Sequence, residues 1–386
     1  MLKFNLFNSI KEIKQDISFS STIFLKQEYL ISLEEAAPSG LSFKYVVIEK
    51  RGIPIGLFYF QVINLSSKDI GQIIHFEPYS KLMSGISMMI QNILFGVKKD
   101  KPHFLLICGN MCLSGEFGIA SANDQQGHVI GALPDVISEV THELDKVGKV
   151  IAHIIKDFPQ ENDPVKSLVK GRKYNSLVMD PIMKMEIRSG WSSMEDYLKD
   201  LSAKYRQRYN QAFKKLQDCT IKDLNLQEMI KEQERLDQLY KAVQEKSPIQ
   251  LIKPDATYLI SLKKHLKDKM VFKAIYHEGK IVAFLSGINA VDHYEAHHIG
   301  IDYHYNKSHS LYLNILYLYI GLAIDSKART LSFGRTALEM KTTVGGIPIQ
   351  YDAYIKLSSG MLNSLIKHLL PEKPDQNWIP RNPFRQ

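Results

Sequence analysis

The sequence predicts an α/β (α+β) fold in two domains, each a mixed, mostly antiparallel sheet flanked by helices. Three observations predict it. Segments with apolar residues at three- and four-residue spacing interleave with segments of strict alternation, so helices and strands follow one another along the chain. The length, 386 residues, suits two domains of ordinary size. Two stretches, YVVIEKRGIPIGLFYF from Tyr45 and FKAIYHEGKIVAFLSG from Phe272, each read as strand, charged glycine turn, strand, which points to an internal duplication.

Taken in order, Ile23 to Leu33 carries helical periodicity and is stopped by Pro38-Ser39-Gly40. A hairpin follows, turning at Lys50-Arg51-Gly52. Ser80 to Val97 reads as a Met-rich helix, HFLLICGNMCLSGEFGIA as a bent strand or strand pair, Leu133 to Val147 as a helix and KVIAHIIKDF as a strand. The polar stretch PQENDPVKSLVKGRKYN marks the boundary, giving domains 1–175 and 176–386. SLVMDPIMKMEI is a strand that either half can claim. In the second half, Ser193 with Asp196 three residues on is a helix start. The basic helix LSAKYRQRYNQAFKKL follows it, and then two helices over DLNLQEMIKEQERLDQLYKAVQEK and DATYLISLKKHLKDK. Three strands lie within VFKAIYHEGKIVAFLSGINAVDHYEAHHIGID. Next come a polar turn, YNKSHS, a buried-face helix, LYLNILYLYIGLAID, and a strand, TLSFG. A last strand, IPIQYDAYIKLS, and a helix from Leu362 to Leu370 precede a Pro-rich tail expected to lie extended on the surface.

Apolar residues make up 45% of the chain and charged residues 23%, which fits a packed rather than a disordered protein. Lys plus Arg exceed Asp plus Glu by 49 − 41 = 8. That excess is a mildly basic surface or an attraction to an anionic ligand such as CoA, tRNA or a membrane surface. The charge is spread evenly, so no DNA-binding domain is inferred. Three cysteines, Cys108, Cys112 and Cys219, form no CxxC pair and imply neither a disulfide framework nor a zinc site. There is no GxSxG elbow or GxGxxG, and no metal is expected. The charged N-terminal stretch has no signal-peptide core, and the apolar run from Leu311 to Ile324 is too short for a transmembrane segment. A reducing, cytoplasmic setting is expected.

A helix that begins after a polar turn offers unpaired N–H groups and a positive dipole end, a place for an anion such as pyrophosphate. The helix entered from YNKSHS has that form. In the first half, CGNMCLSGEFG is the one Gly-rich run, and it lacks the Lys and Ser/Thr of a P-loop.

The second half resembles the GNAT acyltransferase superfamily, and the whole chain the double-GNAT, FemAB-like proteins. The residues that carry this are the basic helix after WSSMEDYLKD, the hairpin KAIYHEGKIVAFLSG, the strand ending in GIDYHYNKSHS, the helix LYLNILYLYIGLAID and the strand and turn LSFGRTALEMKTTVGG. The turn NKSHS has no glycine, unlike the simple GNAT pyrophosphate turn. The resemblance implies two tandem GNAT-like domains, the first possibly degenerate, and an N-acyltransferase that uses acyl-CoA (acetyl-CoA) or a related thioester as cosubstrate and an amine as acceptor. Two alternatives remain open: an aminoacyl-tRNA-dependent transferase acting on a cell-wall precursor, and an inactive GNAT-fold protein that binds a ligand or partner.

The resemblance also assigns expected roles. Lys307, Ser308, His309, Ser310 and Leu311 would hold the carrier phosphates, with Arg335 and Lys341 beyond the strand TLSFG. Glu295 and His297 share a strand face and are candidate general bases, while His298 takes the other face. Tyr312, with Tyr351, is a candidate proton donor to the leaving thiolate. Tyr205, Arg206, Arg208 and Glu339 would bind the substrate, since Lys204, Arg208, Gln211 and Lys215 give a cationic stripe able to grip an acidic carrier or tRNA.

Overall fold

The computed structural model describes residues 2–17, 19, 22–65, 101–115, 117–246, 252–368, 370 and 378–385. The helix expected from Ser80 to Val97 lies outside them. The chain divides into two compact units: Met1–Met179 with Pro248–Lys253 and Gln350–Pro374, and Asp180–Ser247 with Pro254–Ile349 and Asp375–Gln386.

The first unit contributes β1 (Leu2–Phe7), α1 (Gln27–Glu35), β2 (Leu41–Lys50), β3 (Ile53–Asn64), β4 (His103–Cys108), β5 (Ile119–Ser121), α2 (Gln126–Asp145), β6 (Lys149–Pro159), α3 (Lys166–Lys170) and β7 (Asn175–Leu177). In the second unit follow β8 (Ile182–Glu186), α4 (Met194–Asp200), α5 (Ala203–Lys214), β9 (Cys219–Asp223), α6 (Leu226–Lys231), α7 (Gln233–Gln244), α8 (Ala256–Leu266), β10 (Met270–His277), β11 (Lys280–Asn289), β12 (His293–Ile301), α9 (Tyr303–His309), α10 (Leu311–Asp325), β13 (Thr330–Gly334), α11 (Leu338–Thr342) and β14 (Ile347–Ile349). The chain then gives β15 (Tyr351–Leu357) and α12 (Gly360–Ile366) back to the first unit.

The first sheet runs β1-β2-β3-β4-β6-β15-β7, with β5 also on β3, and the second runs β14-β8-β13-β12-β11-β10-β9. Each has one parallel pair, β4 with β6 and β12 with β13, among antiparallel neighbours. The two similar hairpins, β2–β3 and β10–β11, hold the same place, second and third from an edge. Both turn through two left-handed residues, Arg51-Gly52 (φ 55° and 81°) and Glu278-Gly279 (φ 48° and 76°). This is the tight turn whose twist matches paired strands.

Two element boundaries differ from expectation. SLVMDPIMKMEI splits, with β7 in the first sheet and β8 in the second. The expected second domain, 176–386, loses β15 and α12 to the first unit. The reason is edge pairing: β15 aligns antiparallel with β6 from Tyr351↔Pro159 to Leu357↔Ala152, giving its backbone a full ladder. The Pro-rich tail is also not merely extended on the surface. Phe384 bridges to Leu201 and its ring packs 5.8 Å from Trp191.

Each unit has its own core. In the first, α2 lays Val129, Leu133, Val136 and Val140 over Phe58, Phe60 and Leu106, an i, i+4, i+7 stripe against the apolar face of the sheet. In the second, α10 is apolar nearly all round and buries Leu311, Ile315, Tyr319 and Ala323 against Leu285, Tyr294 and Leu331. Each such aliphatic side chain contributes about 1.5–3 kcal/mol by leaving water. No helix among the described residues is long and apolar enough to cross a membrane.

Candidate active site

The two parallel pairs differ where it matters. In the first unit β4 stays paired with β6 over its whole length, from His103↔Lys149 to Cys108↔Ile155, with one register shift between Phe104 and Leu105. The loop beyond is filled with buried polar contacts: Lys156 donates to the carbonyls of Asn110 and Leu113 at 2.7 and 2.9 Å and pairs with Asp157 at 2.6 Å. The Gly-rich run is thus a plugged strand end. In the second unit β12 and β13 pair only from His293↔Thr330 to Glu295↔Ser332. Beyond Glu295, β12 runs on to Ile301 with no strand on that side among the described residues. Its other edge bulges: Ser286 pairs with His298 and Gly287 with Ala296, leaving His297 as the extra residue. A bulge re-aims the strand, and here it coincides with the parting of β12 from β13.

Glu295 lies at that fork, 3% exposed. His293, two residues back on the same face, brings Nε2 to 2.9 Å from Glu295 Oε2, and its Nδ1 lies 3.1 Å from Thr330 Oγ1. Lys341 closes the other side. Its Nζ donates to the carbonyls of Gly334 and Arg335 at 3.3 and 2.5 Å. Burial pulls the Lys341 ammonium down to about 7, against the opposing pull of the Glu295 carboxylate. The turn between β13 and α11 is conformationally strained, with Thr336 and Ala337 both left-handed (φ 70° and 48°). Two successive non-glycine residues in this region cost backbone energy that the surrounding packing must offset.

α11 also walls a cleft of about 640 Å³, lined by Glu339 and Met340, by Lys204, Tyr205 and Arg208 of α5, and by Arg381 of the tail. Arg381 Nη2 pairs with Glu339 at 2.8 Å, which holds the tail against the cleft. Arg208 lies against Met340 Sδ at 3.0 Å. The cleft therefore gathers three cations with one carboxylate, a surface that favours an anionic occupant.

The expected residues separate into groups. Tyr205, Arg208 and Glu339 come together in the cleft, whereas Arg206 is not among its lining residues. Arg335 donates from Nε to the Asp180 carbonyl at 2.7 Å. His297 is held inside: Tyr258 Oη lies 2.9 Å from Nε2 and Ser286 Oγ 3.2 Å from Nδ1. Burial, with the neighbouring His298, keeps the His297 ring well below the usual imidazole range. Both ring nitrogens are engaged by the protein's own side chains, so His297 does not present a free nitrogen as the expected base. Burial likewise raises the Tyr312 hydroxyl.

The expected open turn YNKSHS is not open. Residues 303–309 coil into α9, capped by Asp302 at the His304 amide, and only Ser310 (φ 48°) breaks it from α10. Asp302 supplies the N-cap that allows a helix there. The Tyr312 amide is taken by Asn306 Oδ1 at 3.0 Å and Leu311 is fully buried. Lys307 and Ser308 remain exposed at this junction, while His309 turns inward toward Asp218 and His277. The helix start is therefore not bare: one of its amides, that of Tyr312, is occupied by Asn306.

Sequence reasoning missed His293 and Arg381. His293 carried a signal, the two-residue spacing to Glu295 that puts both on one strand face. Arg381 carried none, since it reaches the cleft from a tail with no periodic pattern.

Residues 203–342 match the family described as "Acetyltransferase (GNAT) domain". No curated protein matches the chain by sequence. Among solved structures it is similar in fold to the crystal structure of FemX, at a TM-score of 0.55 and 10% identity, over 89% of this chain and 94% of that one. It is also similar to a tandem GNAT protein from the clavulanic acid biosynthesis pathway, at a TM-score of 0.54 and 8% identity, over 93% of this chain and 99% of that one.

Proposed function

We propose that this chain, which carries a GNAT acyltransferase domain within a double-GNAT, FemAB-like fold, moves an acyl group from acyl-CoA or a related thioester carrier to an amine. The observation that carries this is the early parting of β12 from β13 after Glu295, beside a cation-lined cleft. The free edge of β12 offers backbone amides to an acyl carbonyl, the kind of fixed donor that stabilises developing negative charge. Glu295 takes a proton from the incoming amine, with His293 fixing its orientation and Lys341 supplying the nearby compensating charge. Lys204, Arg208 and Arg381 hold the acidic part of the carrier. Lys307 and Ser308 are a second, exposed contact for its phosphates. The first unit, whose corresponding strands stay paired, braces rather than reacts.

A second reading has its own support. α5 carries Lys204 and Arg208 on one face, and Lys215 follows on the same stripe, a cationic row suited to the backbone of an aminoacyl-tRNA. Melting curves with CoA, acetyl-CoA and tRNA at low and moderate salt, with thiol release from acyl-CoA, separate the two. A CoA-dependent rise in Tm with thiol release supports the thioester donor. A rise with tRNA alone that fades with salt supports the other. No shift and no turnover with any of them overturns both.

A further inference from the structure

We propose that Asp218, Cys219, His277 and His309 form a binding site for one zinc-type divalent cation. The four come from three separate stretches, which is why no spacing rule finds them. Cys219 and His277 are cross-strand partners at the end of the β9–β10 pair, and His309 is the last residue of α9. One ligand atom from each lies within 4.8 Å of all the others. Four ligands on a tetrahedral zinc sit about 3.3–3.8 Å apart, given bonds of about 2.0–2.3 Å. Small side-chain rotations close that gap, since the Asp218 side chain is 60% exposed.

The imidazoles are already set up as ligands. His309 Nδ1 has the Tyr305 carbonyl at 3.3 Å and Ser308 Oγ at 2.8 Å, so a proton on Nδ1 leaves the Nε2 lone pair facing Asp218 Oδ2 at 3.5 Å. This is the outer-shell hydrogen bond that metal-bound histidines make. His277 Nδ1 is buried, makes no hydrogen bond among the described residues, and also faces Asp218 Oδ2 at 3.5 Å. The two rings stand 4.5 Å apart, centroid to centroid. A buried ring nitrogen without a partner is costly unless something binds it. Two imidazoles, one thiol and one carboxylate suit zinc and exclude magnesium or calcium, which take oxygen ligands. A bound ion would fasten the edge of the second sheet to α9, one residue before α10 begins.

The test is cobalt(II) and zinc(II) titration of the full-length, tag-free chain. One equivalent should bind, and cobalt should show the visible spectrum of a tetrahedral site with a thiolate charge-transfer band. Cys108 and Cys112 are buried, so that band reports Cys219. Cys219→Ala should abolish the band and weaken binding at least tenfold. Asp218→Ala, at an exposed side chain, should weaken binding and shift the visible bands without unfolding the chain. No stoichiometric binding, a band unchanged in Cys219→Ala, or an Asp218→Ala protein that titrates like wild type would each overturn the proposal.

Discussion

His293 and Glu295 stand two positions apart on one strand and meet through Nε2 and Oε2 at 2.9 Å, while Thr330 on the parallel neighbour holds the other ring nitrogen at 3.1 Å. The carboxylate is thus fixed where β12 leaves β13. Glu295→Gln keeps the size and removes the proton acceptor. Acyl transfer to an amine, followed by thiol release, should fall about 10²–10⁴-fold with an unchanged circular dichroism spectrum. Wild-type turnover in this variant would remove Glu295 from the reaction.

Lys341 ties stability to pH in a defined direction. Its folded-state value of about 7 lies below the ordinary lysine value of about 10.4. Between these the folded chain binds fewer protons than the unfolded one, so this group makes stability rise with pH across that window. Below about 7 the cost of burying the charge is fully present. Lys341→Met removes the effect. Its stability relative to wild type should be greatest near pH 6 and should decline by on the order of a few kcal/mol toward pH 10. Urea melts at several pH values measure this, and parallel pH profiles would refute it.

The cleft cations make a separable prediction. Arg208→Ala removes a charge-assisted contact worth about 1.5–3 kcal/mol to an anionic ligand. The rise in Tm caused by the carrier should shrink, and binding by calorimetry should weaken at least tenfold. Adding salt should narrow the difference between the two proteins, because exposed charges are screened.

Gly300 of β12 is packed directly under Phe284 of β11 and Leu239 of α7. A Cβ there would sit 2.1 Å from Phe284 Cε1 and 2.8 Å from Leu239 Cβ. Gly300→Ala should cost about 1–3 kcal/mol, read as a lower midpoint in urea. An unchanged midpoint would refute this close packing.

Both hairpins were legible because their turns are encoded locally: a polar residue followed by glycine between two alternating runs, with glycine taking a left-handed position at no steric cost. The strand carrying Glu295 and the helix from Leu311 were legible from period alone. What escaped was set by distant partners. α9 exists because Asp302 caps it, although YNKSHS by itself looks like a turn. His297 shows alternation as clearly as Glu295 does, yet Tyr258 and Ser286, 39 and 11 positions away, occupy its ring. Periodicity gives the face of a strand and says nothing of what covers that face.

The place of β15 has a consequence for how the protein is made. Its partner β6 is complete by Pro159, but β15 leaves the ribosome almost two hundred residues later. Until then the first sheet carries β6 with one edge bare, a sticky template for foreign strands. Completion of the first sheet must wait until β15 has been made, and a gene cut at the apparent boundary would yield a front piece that lacks a strand and a back piece that carries one it cannot use.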